Sequence, residues 1–307
     1  MSLKPSNQTN LYGLNFYFQD FINLFNKDKL PNKILLSGYK GIGKSTLAYH
    51  LINYVLSKDE DYSYDFENNK INSENKSYKL IQNSSHPNFI LIDIMSEKKN
   101  IDIAQIRDLI SKLNKSSFNN NNRFIIIDNI ENLNVNSINA LLKILEEPPS
   151  QTFFILINND RFIMPTLKSR CINYKIFLNH DNVINITNKL LGDDVFNRIN
   201  QDLLNYYSTP GKICRLITFF ESNNYDLKKY NLKDFLKLII KDSLYKKNVV
   251  VKNIVFEYME LFFRKNISNI KINPFDAYNY FVKKINDTKK FNLDEESLFM
   301  EFEYKIL

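Results

Sequence analysis

Eight consecutive residues, Gly38-Tyr39-Lys40-Gly41-Ile42-Gly43-Lys44-Ser45, followed by Thr46, fit the pattern G-x-x-x-x-G-K-[ST]. The chemistry of such a stretch is the holding of phosphate. Its glycines let the backbone curl until successive N–H groups aim at phosphate oxygens, and a following helix adds its positive N-terminus. Lys44 then reaches the β and γ phosphates of a nucleotide such as ATP, and Ser45 the magnesium ion that accompanies it. The chain has only six glycines in 307 residues, and Gly38, Gly41 and Gly43 are three of them. A glycine-poor protein that gathers glycine here uses it for backbone geometry.

A second candidate lies in RFIIIDNIENLN, residues 123–134. Asp128 closes an apolar run and is placed to orient magnesium through water. A hydrolytic site of this kind needs a carboxylate beside the attacking water. The next residue is Asn129, a poor base, and Glu131 stands two positions further on. Nucleotide binding is therefore the firmer expectation, with hydrolysis by the chain itself weak or absent.

The elements that must position these groups follow from apolar periodicity. Residues 14–26 place Leu14, Phe18, Phe21 and Phe25 at helical spacing. Strands are expected at 33–37, 89–93, 123–128 and 152–157, with a further one at 172–176. Helices are expected after the glycine-rich loop, at 103–113, at 136–146 (stopped by Pro148-Pro149), and briefly after Pro165. Continuously apolar strands alternating with helices indicate a parallel sheet covered on both faces. Residues 58–78 are polar and patternless and read as a surface insertion. After Phe177 the pattern is helical to the end, with a composition change at 223–231. The expected division is an α/β nucleotide-binding domain at 1–177, a helical lid at 178–223 and an all-helical domain at 224–307.

Length fits two or three domains. The net charge of +7 admits a nucleic-acid partner, although a chain this rich in Lys, Asn and Ile is basic by composition alone. Two separated cysteines, Cys171 and Cys214, exclude a disulfide framework and a cysteine-based zinc site. The N-terminal stretch has no signal-like apolar core and no run approaches membrane-spanning length, so a cytoplasmic protein with no membrane partner is expected.

Asn139-Ala140-Leu141-Leu142-Lys143-Ile144-Leu145-Glu146-Glu147-Pro148-Pro149 is very similar to the NALLKxLEEPP stretch of bacterial clamp-loader subunits, and Ser169-Arg170-Cys171 to their SRC motif. Leu11-Tyr12-Gly13, Lys29-Leu30-Pro31, His86-Pro87 and Ile103-Ala104-Gln105-Ile106-Arg107 fall where delta-prime subunits of DNA polymerase III carry similar segments. The resemblance covers roughly residues 11–216. It implies an AAA+ module (parallel sheet plus helical lid) followed by a collar domain. It also implies a place in a five-subunit loader, with tau/gamma and delta partners, that puts a sliding clamp onto primer–template DNA. DNA-directed DNA polymerase (nucleotidyltransferase) activity then belongs to the holoenzyme. Arg170 is implied as an arginine finger acting in trans on a neighbour's nucleotide. Ser208-Thr209-Pro210-Gly211-Lys212 resembles the sensor-2 segment, with Lys212 or Arg215 facing the nucleotide, and Asn158 stands near the sensor-1 position.

The chain departs from the family in one respect: many relatives carry four zinc-binding cysteines within the stretch equivalent to 58–85, which here has none, so no zinc is expected. A tau/gamma-like motor subunit is the competing reading. It would show Asp-Glu where this chain has Asp128-Asn129, and it would show those cysteines. A kinase or helicase is disfavoured by the lack of any acceptor-substrate site.

Overall fold

The structure, a computed structural model, describes residues 3–95, 98–114, 121–204, 208–247, 249–266, 273–291 and 293–307. They form two compact units. The first runs as far as Ile186 and also takes Thr209–Lys212; the second comprises Thr187–Ser208 and Ile213–Leu307.

The first unit is built on a parallel sheet of five strands. They are β1 (Lys33–Ser37), β2 (Phe89–Ile92), β3 (Arg123–Ile127), β4 (Thr152–Asn158) and β5 (Ile172–Lys175), ordered β2-β3-β4-β1-β5. Alternate strand residues feed two cores. Leu36, Phe124, Ile126, Ile155 and Ile157 face α1 (Asn15–Asn26) and α2 (Lys44–Leu56). Leu35, Ile125, Ile127, Phe154 and Leu156 face α4 (Ile103–Leu113) and α5 (Val135–Glu146), which follow α3 (Lys76–Gln82) in the chain. Burial on both faces explains the unbroken apolar runs, each such side chain contributing about 1.5–3 kcal/mol. The register pairs Ser37 with Asn158 and Ile127 with Leu156, so the carboxyl ends of three adjacent strands, β3, β4 and β1, finish along one edge. In an open parallel sheet that edge is where ligands bind.

Helix ends follow local chemistry. Asp102 and Gln105 close a capping box on α4, and Asn134 accepts the Ser137 N–H at the start of α5. A short helix α6 (Pro165–Lys168) begins on its proline.

The stretch from 58 to 78, expected as a surface insertion, is largely exposed but sends Tyr64, Ile71, Asn75, Ser77 and Tyr78 inward. Tyr64 and Ile71 lie in the core beside Phe18, and Ile71 N–H donates to Thr9 O at 2.8 Å. Two of its inward polar groups find partners: the buried Asn75 side chain accepts from Tyr78 N and donates to Tyr62 O, while Ser77 Oγ donates to Glu60 at 2.6 Å. Side-chain pairing hides polarity that a composition reading assigns to solvent. His50 is enclosed here against Tyr64 Oη and Gln8 O, and burial lowers its pKa to about 4.

Among its described residues the second unit has helices joined by turns and no strand. After α7 (His180–Leu191) and α8 (Pro210–Ser222), whose ends it shares with the first unit, come α9 (Leu232–Lys241), α10 (Leu244–Lys247), α11 (Val249–Asn266), α12 (Pro274–Phe291) and α13 (Glu295–Ile306). Its core is aromatic: Phe220 packs on Phe235, and Phe281 and Phe263 on Phe302. Among the described residues no helix is long and apolar enough to cross a membrane.

Candidate nucleotide site

The glycine-rich loop leaves β1 and enters α2 with Gly38, Gly41 and Gly43 all at positive φ. At Gly38 (φ 148°) a Cβ would lie 2.3 Å from the Ile176 carbonyl oxygen, so no other residue fits without moving backbone. Lys44, Ser45 and Thr46 form the first turn of α2, where free N–H groups and the helix dipole favour an anion.

Lys44 is only 3% exposed. Its ammonium donates to Gly38 O at 2.7 Å, Tyr39 O at 2.8 Å and Asn159 Oδ1 at 3.1 Å. Burial lowers its pKa to about 8, against the opposing pull of Asp128, Glu131 and Asp160. The folded chain therefore sheds this proton well before the unfolded chain does. Between about pH 8 and the usual lysine range the unfolded state binds more protons, and this group's contribution to stability rises with pH. A phosphate ligand favours the ammonium, so nucleotide binding has the opposite slope. Affinity is expected to be highest below pH 8 and to fall by up to about tenfold per unit above it. Calorimetric titration from pH 7 to 9.5 checks this through the affinity and through proton uptake on binding.

Ser45 Oγ donates to Asp128 Oδ2 at 2.6 Å, bringing together the two residues expected to serve magnesium. Burial pushes the Asp128 carboxyl up, and neighbouring Asp93 adds to this, against the Ser45 hydrogen bond. A buried, under-compensated carboxylate beside a hydroxyl is an oxygen donor pair that suits a hard divalent cation.

At the end of β4 the structure separates two neighbours. Asn158 closes a local turn, donating to Arg161 O at 2.9 Å and accepting from Arg161 N. Asn159 is the residue that reaches the loop. Its Oδ1 takes the Lys44 ammonium, and its Nδ2 donates to Glu131 Oε1 and to Asn129 Oδ1, each at 2.9 Å. Asn129 in turn donates to Asp93 Oδ1 at 2.7 Å. Asn159, Glu131 and Asp93 were not expected in the site. Adjacent polar residues at strand ends were the available signal, but which of them points inward depends on strand register.

The sensor-2-like segment meets the backbone of the glycine-rich loop. Thr209 Oγ1 donates to Lys40 O at 2.8 Å, Gly211 N–H to Gly41 O at 3.0 Å, and a Cβ on Gly211 would come within 3.0 Å of Gly41. Lys212 follows in the same segment of the first unit, whereas Arg215 belongs to the second and is half-buried. Arg170, just beyond α6, lies against α5: Nε and Nη2 donate to Glu146 Oε1 and Nη1 to Thr166 O at 2.9 Å. Its side chain is one-third exposed.

The family described as DNA polymerase III, delta subunit, matches residues 14–179, more than half of the chain. DNA polymerase III subunit delta' of Buchnera aphidicola subsp. Schizaphis graminum (strain Sg) is 28% identical over 290 residues, covering 88% of this chain and 83% of that one. DNA polymerase III subunit gamma of the same bacterium is 28% identical over 190 residues, covering 61% and 50%. Among solved structures, a DNA polymerase III gamma subunit-related protein from Thermotoga maritima aligns with a TM-score of 0.53 at 15% identity, over 93% of this chain and 99% of that one, a likeness of fold. A parallel five-stranded sheet followed by a helical C-terminal region, and the match over residues 14–179, lead to one conclusion: the chain belongs to the DNA polymerase III delta-subunit family, among clamp-loader subunits of the delta-prime and gamma type.

Proposed function

We propose that the chain is an assembly subunit of delta-prime type in a clamp loader, holding nucleotide but cleaving it poorly, and lending Arg170 to the nucleotide site of a neighbouring tau/gamma subunit. The observation that carries this reading is the presentation of Arg170. A one-turn helix started by Pro165 leads to it, and among the described residues Glu146 and the Thr166 carbonyl hold it. A planar guanidinium so placed can leave one carboxylate for two phosphate oxygens at little cost. The same subunit keeps Asn129 where a motor would carry Glu, which favours this reading over a tau/gamma-like motor.

Its own nucleotide would be ATP, with phosphates on the N–H groups of residues 38–46 and on Lys44. Ser45 and Asp128 would hold magnesium, which supplies charge neutralisation between the β and γ phosphates. The segment 209–212 would report on that occupancy through Lys212. Residues 1–177, 178–223 and 224–307 would act as nucleotide module, lid and collar, with delta, the sliding clamp and primer–template DNA as further partners through the complex. Nucleotidyl transfer is no part of this role.

Reconstitution tests it. Mixed with purified tau/gamma and delta, the chain is expected to enter a single complex in analytical ultracentrifugation. A chain that sediments alone at micromolar concentrations overturns the assignment.

A further inference from the structure

We propose that the chain hydrolyses its own ATP, slowly, with Glu131 as the carboxylate that orients and deprotonates the attacking water. This rests on the nucleotide reading above. Asn129 cannot do this work: its Nδ2 is committed to Asp93 and its Oδ1 accepts from Asn159, and an amide is no base. The same residue nevertheless returns a carboxylate to the site. Asn129 adopts a left-handed conformation (φ 56°) and leads into a 3-10 turn, Ile130–Asn132. Glu131 is thereby carried back to the end of β4.

Asn159 holds both of its oxygens there, Oε1 through Nδ2 at 2.9 Å and Oε2 through the backbone N–H at 3.2 Å. The other end of the same amide accepts from the Lys44 ammonium. One side chain thus joins Glu131 to the cation that meets the terminal phosphate. With Oδ1 on Lys44 and both Nδ2 hydrogens given to Glu131 and Asn129, the orientation of Asn159 is fixed. Each Glu131 oxygen keeps a second lone pair for water.

In the reaction the water oxygen bonds to the γ-phosphorus while the bond from that phosphorus to the β–γ bridging oxygen breaks. The water proton passes to Glu131 and then to the products, ADP and inorganic phosphate. Tethering by Asn159 limits how far the carboxylate can follow the water, which accounts for a slow reaction.

The test is single-turnover hydrolysis of radiolabelled ATP by the full chain in excess with magnesium, alongside equilibrium ATP binding and thermal melting. Wild type is expected to exceed buffer. Glu131→Gln should fall about a hundredfold, the contribution of one general base, with ATP affinity changed far less than the rate and the melting temperature moved by only a few degrees. Glu131→Asp, which keeps the acid but shortens it, should retain part of the rate and decides the matter if the glutamine variant misfolds. Glu131→Gln, or in its absence Glu131→Asp, turning over at the wild-type rate overturns the proposal. So does wild type that binds ATP yet hydrolyses it no faster than buffer, a result that leaves the nucleotide reading standing. Failure to bind ATP at all overturns both.

Discussion

If Arg170 is the finger proposed above, Arg170→Ala is expected to fold and assemble normally while the neighbouring subunit's nucleotide site loses about three to five orders of magnitude in rate, the usual worth of an arginine finger. The local structure separates this from a purely structural role. The Arg170–Glu146 pair is 33% and 53% exposed on its two sides. An ion pair this open contributes about 0–1 kcal/mol, so melting should move by only a few degrees. A structural role predicts the reverse: a clearly lowered melting temperature, with activity following the folded fraction. In the proposed assembly other sites would continue to fire, so total ATP turnover is a blunt readout and clamp loading the sharper one. Arg170→Lys should rescue poorly, since a single ammonium cannot replace the guanidinium fork on two phosphate oxygens. An Arg170→Ala complex that loads clamps at the wild-type rate removes the finger role.

Lys44→Ala is expected to weaken ATP binding by about 10- to 100-fold, the loss of one charge-assisted contact worth about 1.5–3 kcal/mol. Here the effect on folding is not negligible, because Lys44 also ties together Gly38 O, Tyr39 O and Asn159. Alanine leaves those acceptors without their donor but also removes a buried charge, and the two changes oppose each other. Lys44→Met, which keeps the stem and deletes the charge, controls for this. Equal ATP affinity in wild type and both variants would exclude the loop as the phosphate site. Fast steady-state turnover by the wild-type chain alone, abolished in both, would favour a motor subunit instead.

What the sequence determined by itself is local chemistry. The glycine-rich loop, the strand Lys33–Ser37 and the helix Ile103–Leu113 stand where the pattern put them, because glycine placement, two-sided apolar runs and capping residues act within a few positions. The pairing of Ser45 with Asp128 was foreseeable only through the chemistry both would serve.

What tertiary structure decided are contacts made across long separations. Sequence pointed to Asn158 at the strand end, but alternation along β4 turns Asn158 into a local turn and leaves Asn159 to reach Lys44, 115 residues away. Glu131, two positions beyond the expected place, returns to the site because Asn129 takes a left-handed backbone that no propensity requires. Within the polar stretch from 58 to 78, Asn75 and Ser77 turn inward because Asn75 finds Tyr62 O and Tyr78 N–H and Ser77 finds Glu60, which composition does not reveal. Thr209 meets Lys40 across 169 residues. Each of these depends on which groups are brought face to face in the folded chain, and hydrogen-bonding capacity is a property of residues whereas its satisfaction is a property of the fold.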